Sequence, residues 1–257
     1  MRLSIFPYCL LTLHQAHREA IGQIRKRLKA SGSLTMRQDI FSILLLTLQT
    51  ASVATICVMI PAVLLGYALA RYDFRGKEVV SAIVGLPLVL PPTAVGFLLL
   101  RLFAVDGPLG RQTLGFDLHM LLNWRAAVLA AAVMSFPLVV RTARVTFEGI
   151  NPRLEMMAKT LGHSSLATFF LYSLPLAKRG LLAGIILGFT RALGEFGATV
   201  TIAGNIPGRT QTLAAAIFSA QQVGDESQAY ILMLVAIVIG FIAIISSELL
   251  SRSRSLN

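Results

Sequence analysis

The 257 residues are 55% hydrophobic and only 14% charged, with a mean hydropathy of +0.73, whereas ordinary soluble domains carry nearer a quarter charged residues; the composition excludes a soluble globular domain and points into a membrane. A formal net charge of +11 would suit a nucleic-acid binder, but basic residues in a membrane protein collect in cytoplasmic loops, so no nucleic-acid partner is expected. Two cysteines, Cys9 and Cys57, offer neither a disulfide framework nor a metal-ligand spacing, and no metal or other cofactor is expected.

Residues 1–38 read as a basic extension. The apolar LSIFPYCLLTL is too short to span a bilayer, is not followed by a small-residue cleavage site, and leads into Arg18, Arg25, Lys26, Arg27, Lys29 and Arg37. The expectation is an appendage preceding a native start nearer Met36, and no function is assigned to it. The remainder, 39–257, reads as one transmembrane domain.

A first span is predicted over 40–70, followed by RYDFRGKE with Arg71, Arg75 and Lys77. A second, over 81–102, contains Pro87, Pro91 and Pro92. Proline removes backbone donors, and the bilayer tolerates freed carbonyls only where protein or water satisfies them, so this span is expected to be broken and to face the protein interior. A polar, Gly-rich stretch over 105–125 ends at Trp124, placed as an interfacial anchor. A third span over 126–140 reaches Arg141 and Arg144.

The long polar interruption 151–175 follows. Asn151 suits an N-cap, Pro152 the first helical position, Glu155 the positive end of the dipole and Gly162 the terminator. Leu154, Met157, Ala158 and Leu161 fall at i, i+3, i+4, i+7, so one apolar face is expected, adaptable through its methionines, that either folds back onto its own protein or docks onto another chain. A fourth span over 181–203 and a fifth over 229–249 complete the domain, separated by GNIPGRTQT and QQVGDESQ. The fold expected is an all-α membrane protein of about five transmembrane helices, with room for a sixth N-terminal segment.

If the spans alternate, Arg71, Arg75, Lys77, Arg141, Arg144, Arg153, Lys159, Lys178, Arg179, Arg252 and Arg254 share one side, against Arg111, Arg125 and Arg209 on the other. That eleven-to-three imbalance assigns the first side, with segment 151–175 and the C-terminus, to the cytoplasm. The N-terminus then lies outside, where the basic run before Met36 conflicts with the rule unless it is not native or an extra half-span precedes residue 40.

In the fourth span Gly180, Gly184 and Gly188 line one face for close helix packing, within one subunit or between two. Arg191 and Glu195 sit at i, i+4 near mid-bilayer, where a charge costs a few kcal/mol unless paired or wet. Together with Thr199 they are candidate pathway residues. The alternative is that Arg191 and Glu195 simply neutralise each other. His14, His17, His119 and His163 lie outside the spans, and no phosphate loop, Ser–His pair or carboxylate cluster is present. No catalytic centre or energy source is visible; a docking helix beside a bundle of broken, Gly-rich spans fits a conduit driven by something else.

Gly162, nine intervening residues, Tyr172 and Leu174–Pro175 resemble the tail of the loop shared by membrane subunits of binding-protein-dependent ABC importers, with Met157–Ala158 in the paired small-residue positions. Glu155 stands one place earlier than the general acidic position and Met157 replaces an alanine, which departs from the sugar-importer branch. LPLVLPPTAVGFLLL, NWRAAVLAAAVMSFPLVVRTAR, LEMMAKTLG and RALGEFGATVTIAGNIPGRTQT are similar to the molybdate permeases of that family. The resemblance implies a type I ABC importer permease fold. It implies a non-enzymatic subunit of a molybdate importer in the bacterial plasma membrane, working as a homodimer with a cytoplasmic ATPase and an extracytoplasmic oxyanion-binding protein. Tungstate or sulfate is the alternative cargo; an ATP-independent channel or a membrane-embedded enzyme is the alternative class. Coupling to the ATPase would fall to Glu155, Met156, Met157, Ala158, Lys159, Thr160, Leu161, Gly162 and Pro175.

Overall fold

A computed structural model describes residues 40–115 and 120–252. The chain divides into Met1–Ser42, of which residues 40–42 are described, and the compact unit Ile43–Asn257. The basic extension 1–38 lies outside the described residues.

The first span is α1, Ile40–Arg71, as the hydropathy predicts. The second is broken into α2, Lys77–Val89, and α3, Pro92–Phe103, which meet at 112°. Two adjacent prolines explain the break: neither donates a hydrogen bond, and Leu90, preceding Pro91, is held extended with φ −69°, ψ 144°. The expected interior placement holds only for α3, whose Gly96 lies where an added Cβ would stand 2.8 Å from Ala198 and Thr201. α2 buries no residue fully and Val89 is 84% exposed, although Val80 and Val84 pack partly against α1 and the helix Trp124–Glu148 and Leu90 against the core around α3.

A tight loop carries α4, the single turn Arg111–Leu114, and leads to α5, Trp124–Glu148, capped by the Asn123 side-chain Oδ1, which accepts from the Trp124 N–H at 2.7 Å. α5 outruns the predicted span because Arg144 stays helical, pairing with Glu148 at 2.7 Å one turn on. α6, Pro152–Thr160, is the predicted short helix; the Asn151 side chain accepts from the Arg153 N–H at 3.0 Å, and Gly162 ends it at φ +89°.

Segment 151–175 is not one loop, contrary to the sequence reading, because its second half already belongs to the next span. That span, α7, runs from Ser165 to Leu193, and Phe169–Ser173 within it is a π turn. Pro175 supplies the reason: it has no N–H for the carbonyl four residues back, and the Leu174 N–H bonds instead to the Phe169 carbonyl, five residues back. The predicted fourth span is itself interrupted, since α7 stops at Leu193 and α8, Gly197–Ala203, starts after a break. α9, Leu213–Gln222, occupies a stretch read from the sequence as loop, and α10, Glu226–Arg252, is the last span. Among the described residues four helices are long and apolar enough to cross a membrane, and α2–α3 makes five if the bent pair is one span.

The glycine stripe of α7 packs on α5 of the same chain. A Cβ at Gly180 would stand 2.5 Å from Thr146 Oγ1, one at Gly184 2.8 Å from Thr142 Cγ2, and one at Gly188 would overlap Val139. Thr142 and Thr146 can face this apolar seam because their hydroxyls donate to the carbonyls of Leu138 at 2.9 Å and Thr142 at 2.7 Å. Of the two interfaces the sequence left open, the intrasubunit one is realised, and the stripe no longer argues for a dimer.

Candidate functional site: a braced polar helix

α6 sits at the end of the bundle where α1 finishes, α5 finishes and α7 begins. Its inward side is ionic rather than greasy. Glu155 and Ala158 are buried, at 8% and 2% exposure, whereas Leu154, Met156, Met157 and Leu161 are exposed. The predicted face Leu154–Met157–Ala158–Leu161 is therefore split: Ala158 turns toward the chain's own helices, and the other three, with Met156, form an outward ridge. A nine-residue helix offers too few turns for periodicity to choose the buried side when a carboxylate competes with an alanine for it.

Burying Glu155 requires partners, and two distant elements supply them. Arg71, the last residue of α1, places Nε 2.9 Å from Glu155 Oε1, with both side chains about one-tenth exposed. Ser173, at the end of the π turn, donates its hydroxyl to the same Oε1 at 2.7 Å. Arg71 Nη2 also donates to the Ile150 carbonyl at 3.1 Å, just beyond α5. One carboxylate and one guanidinium thus tie α6 to α1, α5 and α7. Tyr67, Phe147 and Phe169 stack edge-on behind them, with centroids 5.1 Å (Tyr67–Phe147) and 4.7 Å (Tyr67–Phe169) apart. Tyr172 and His163 hydrogen-bond at 3.1 Å across the α6–α7 turn. The helix is tied to the ends of three spans, with its apolar ridge on the opposite side.

Lys159, Thr160 and Gly162 are exposed on the last turn. Thr160 donates to the Met157 carbonyl at 2.8 Å, and the His163 N–H closes the helix end on the Ala158 carbonyl at 3.2 Å. Pro175 lies on α7 beside the π turn that it causes.

The predicted pathway residues lie elsewhere, at the α7–α8 break. Arg191 Nη1 is 2.6 Å from Glu195 Oε2, and Glu195, 2% exposed, also accepts from the Ala198 N–H at 3.0 Å with its other oxygen. The carboxylate caps α8 while neutralising a cation on α7, so the pair bridges the break. Thr199 is buried at 1% exposure within α8. Among the described residues no group of three or more His, Cys, Asp or Glu side chains converges to hold a metal.

α6 is thus bound on one side to three spans and exposed on the other. A family model, the inner membrane component of binding-protein-dependent transport systems, matches residues 62–255. The chain belongs to this family. It is 45% identical over 193 residues, covering 74% of the chain and 84% of the relative, to the molybdenum transport system permease protein ModB of Haemophilus influenzae. The sulfate transport system permease protein CysT of Salmonella typhimurium is 39% identical over 172 residues, covering 67% and 62%. A structure of the MetNI methionine ABC transporter in inward-facing conformations aligns over 85% of this chain and 95% of its own, with a TM-score of 0.62 at 15% identity; at that identity the likeness speaks for the fold alone. The fold is that of the type I importer permeases in this family.

Sequence reasoning missed Arg71 and Ser173. Arg71 counts there only as one of eleven charges marking a membrane face, and it lies 84 residues from Glu155. A buried ion pair at that separation leaves no periodic trace. The available signal was the acidic residue on the first turn of a helix whose outward ridge is apolar.

Proposed function

We propose that this chain forms, with a second copy of itself, the translocation pathway of an ATP-driven molybdate importer in the bacterial inner membrane. On this reading the α6 ridge docks on a cytoplasmic ATPase subunit, the opposite end receives an oxyanion-binding protein, and the C-terminus is cytoplasmic. The observation that carries it is the Arg71–Glu155–Ser173 brace behind the exposed Met156, Met157 and Leu161. Such a lever has a use only where another molecule supplies the force, which the spans turn into alternating access by rigid-body motion.

A second copy is favoured by the α2–α3 bend. Backbone freed by Pro91 and Pro92 cannot face lipid, Val89 beside the bend is 84% exposed, and a partner permease across a wet pathway would cover it. Molybdate is favoured over sulfate because the ModB relative aligns over 84% of its length and the CysT relative over 62%. The test is uptake of radiolabelled molybdate into proteoliposomes holding this chain, its ATPase and the binding protein. Uptake that requires ATP and all three is expected; uptake that persists without the ATPase would establish a channel or secondary transporter instead.

Arg191, Glu195 and Thr199 enter the proposal as pathway residues, with Arg191, 29% exposed, offering residual positive charge to a passing dianion. Removing Arg191 alone would strand a buried carboxylate, so the informative variant is Arg191→Met with Glu195→Gln, which removes both charges and keeps an oxygen for the Ala198 cap. Uptake at least tenfold lower at an unchanged membrane level is expected. Normal uptake would reduce the pair to a strut.

A further inference from the structure

We infer that the end of the bundle remote from α6 carries a receiving site for a tetrahedral oxyanion, centred on Arg209; it rests on the cargo class proposed above. A cavity of about 490 Å³ opens there between α1, the turn before α5 and the α8–α9 loop, lined by Leu46, Gln49, Leu122, Asn123, Trp124 and Arg209 among others. At about 30 Å³ per water it holds an oxyanion together with much of its hydration shell. α1 and α5 run from this cavity to the coupling helix, so the site faces whatever delivers the cargo.

Arg209 is presented on a fixed backbone. The N–H groups of Arg209, Thr210 and Gln211 converge on the Ile206 carbonyl at 3.1, 2.9 and 3.1 Å. Thr210, fully buried, accepts from the Ile206 N–H at 3.0 Å, and Asn205 Nδ2 donates to Ser219 of α9 at 2.6 Å. The other end of α9 is held too, since Thr47 of α1 accepts from the Leu213 N–H at 2.8 Å. Across the cavity Leu122 adopts φ +53°, alone among described non-glycine residues in the left-handed region, and is held there by its N–H on the Ile202 carbonyl at 3.2 Å.

The chemistry of the wall is that of an anion host. The ion pairs of the described residues do not include Arg209, and the described residues that line the cavity include no Asp or Glu. A guanidinium fork matches two oxygens of a tetrahedral oxyanion. Gln49 and the Trp124 indole add neutral donors, and Asn123, whose side-chain oxygen caps α5, also lines the cavity. Arg209 is exposed, so binding is weak enough to release the ion onward, as conduction requires.

Trp124 is the sole tryptophan of the chain and lines this cavity, which makes the site directly readable. The full-length chain in detergent is titrated with molybdate at constant ionic strength, with chloride as control. A saturable change in tryptophan emission with molybdate but not chloride is expected, and it is lost in Arg209→Gln and retained in Arg209→Lys. In the complete transporter, Arg209→Gln lowers molybdate uptake about tenfold while the binding-protein concentration giving half-maximal ATPase stimulation stays unchanged. An emission insensitive to molybdate would overturn the site, as would a parallel loss of binding-protein affinity, which would make Arg209 a docking residue instead. A wild-type complex that imports sulfate and not molybdate would revise the cargo of the proposed function; because both are tetrahedral dianions, the emission titration, repeated with sulfate, still decides the site.

Discussion

Replacing Arg71 with methionine is expected to disconnect ATP hydrolysis from uptake. The substitution leaves Glu155 in a site only about one-tenth exposed with Ser173 as its remaining partner. Removing one member of a buried pair costs about 3–5 kcal/mol, more than a nine-residue helix can recover from its own hydrogen bonds. α6 then loses its tie to α1 and to the Ile150 carbonyl, although its outer ridge still reaches a partner. Molybdate imported per ATP hydrolysed should fall at least tenfold while the ATPase still copurifies. Arg71→Met combined with Glu155→Leu removes the stranded charge, so membrane levels recover and the poor ratio persists. A wild-type ratio in Arg71→Met would show that the brace transmits nothing.

Leu161→Asp is expected to have a comparable effect by the opposite route, because the lever stays braced but no longer grips the ATPase. Leu161 is 76% exposed at the end of α6, so the change costs the folded chain little. If the ridge fills a cleft on the ATPase, the substitution removes about 1.5–3 kcal/mol of apolar burial and places an unpaired carboxylate in the interface, at about 1–3 kcal/mol more. At about 1.4 kcal/mol per factor of ten, association weakens by some two to four orders of magnitude. Pull-down of the ATPase on tagged permease should fail while the variant reaches the membrane in normal amount. Undiminished pull-down and uptake would remove Leu161 from the interface. The two variants are separable, since Arg71→Met keeps the ATPase bound and Leu161→Asp releases it.

The spans were legible because each is long, apolar and bounded by charge, and the break at Leu90 because two prolines leave the backbone no alternative. The caps of α6 were legible for the same local reason. α9 was not: LAAAIFSAQQ carries no strong start signal, and its first N–H is satisfied by Thr47, 166 residues away. The start of α7 was hidden by polar residues at Ser164 and Ser165 that read as loop until Ser164 is seen to accept from the Ala167 N–H at 3.2 Å as a cap. The break at Gly194 was invisible because Arg191 and Glu195 look like an ordinary i, i+4 helical pair.

By itself the sequence determined the membrane class, the presence of several spans, the charge imbalance and the existence of a capped polar helix, all of which follow from composition and spacing within about one turn or one bilayer thickness. Only the tertiary structure decided which side of that helix is bound and which is bare, that the glycine stripe serves α5 of the same chain, and that Glu155 answers to Arg71 and Ser173. The reason is physical. A buried charge is tolerated only when its counter-charge arrives from elsewhere in the chain, and that arrival is a property of how the helices pack.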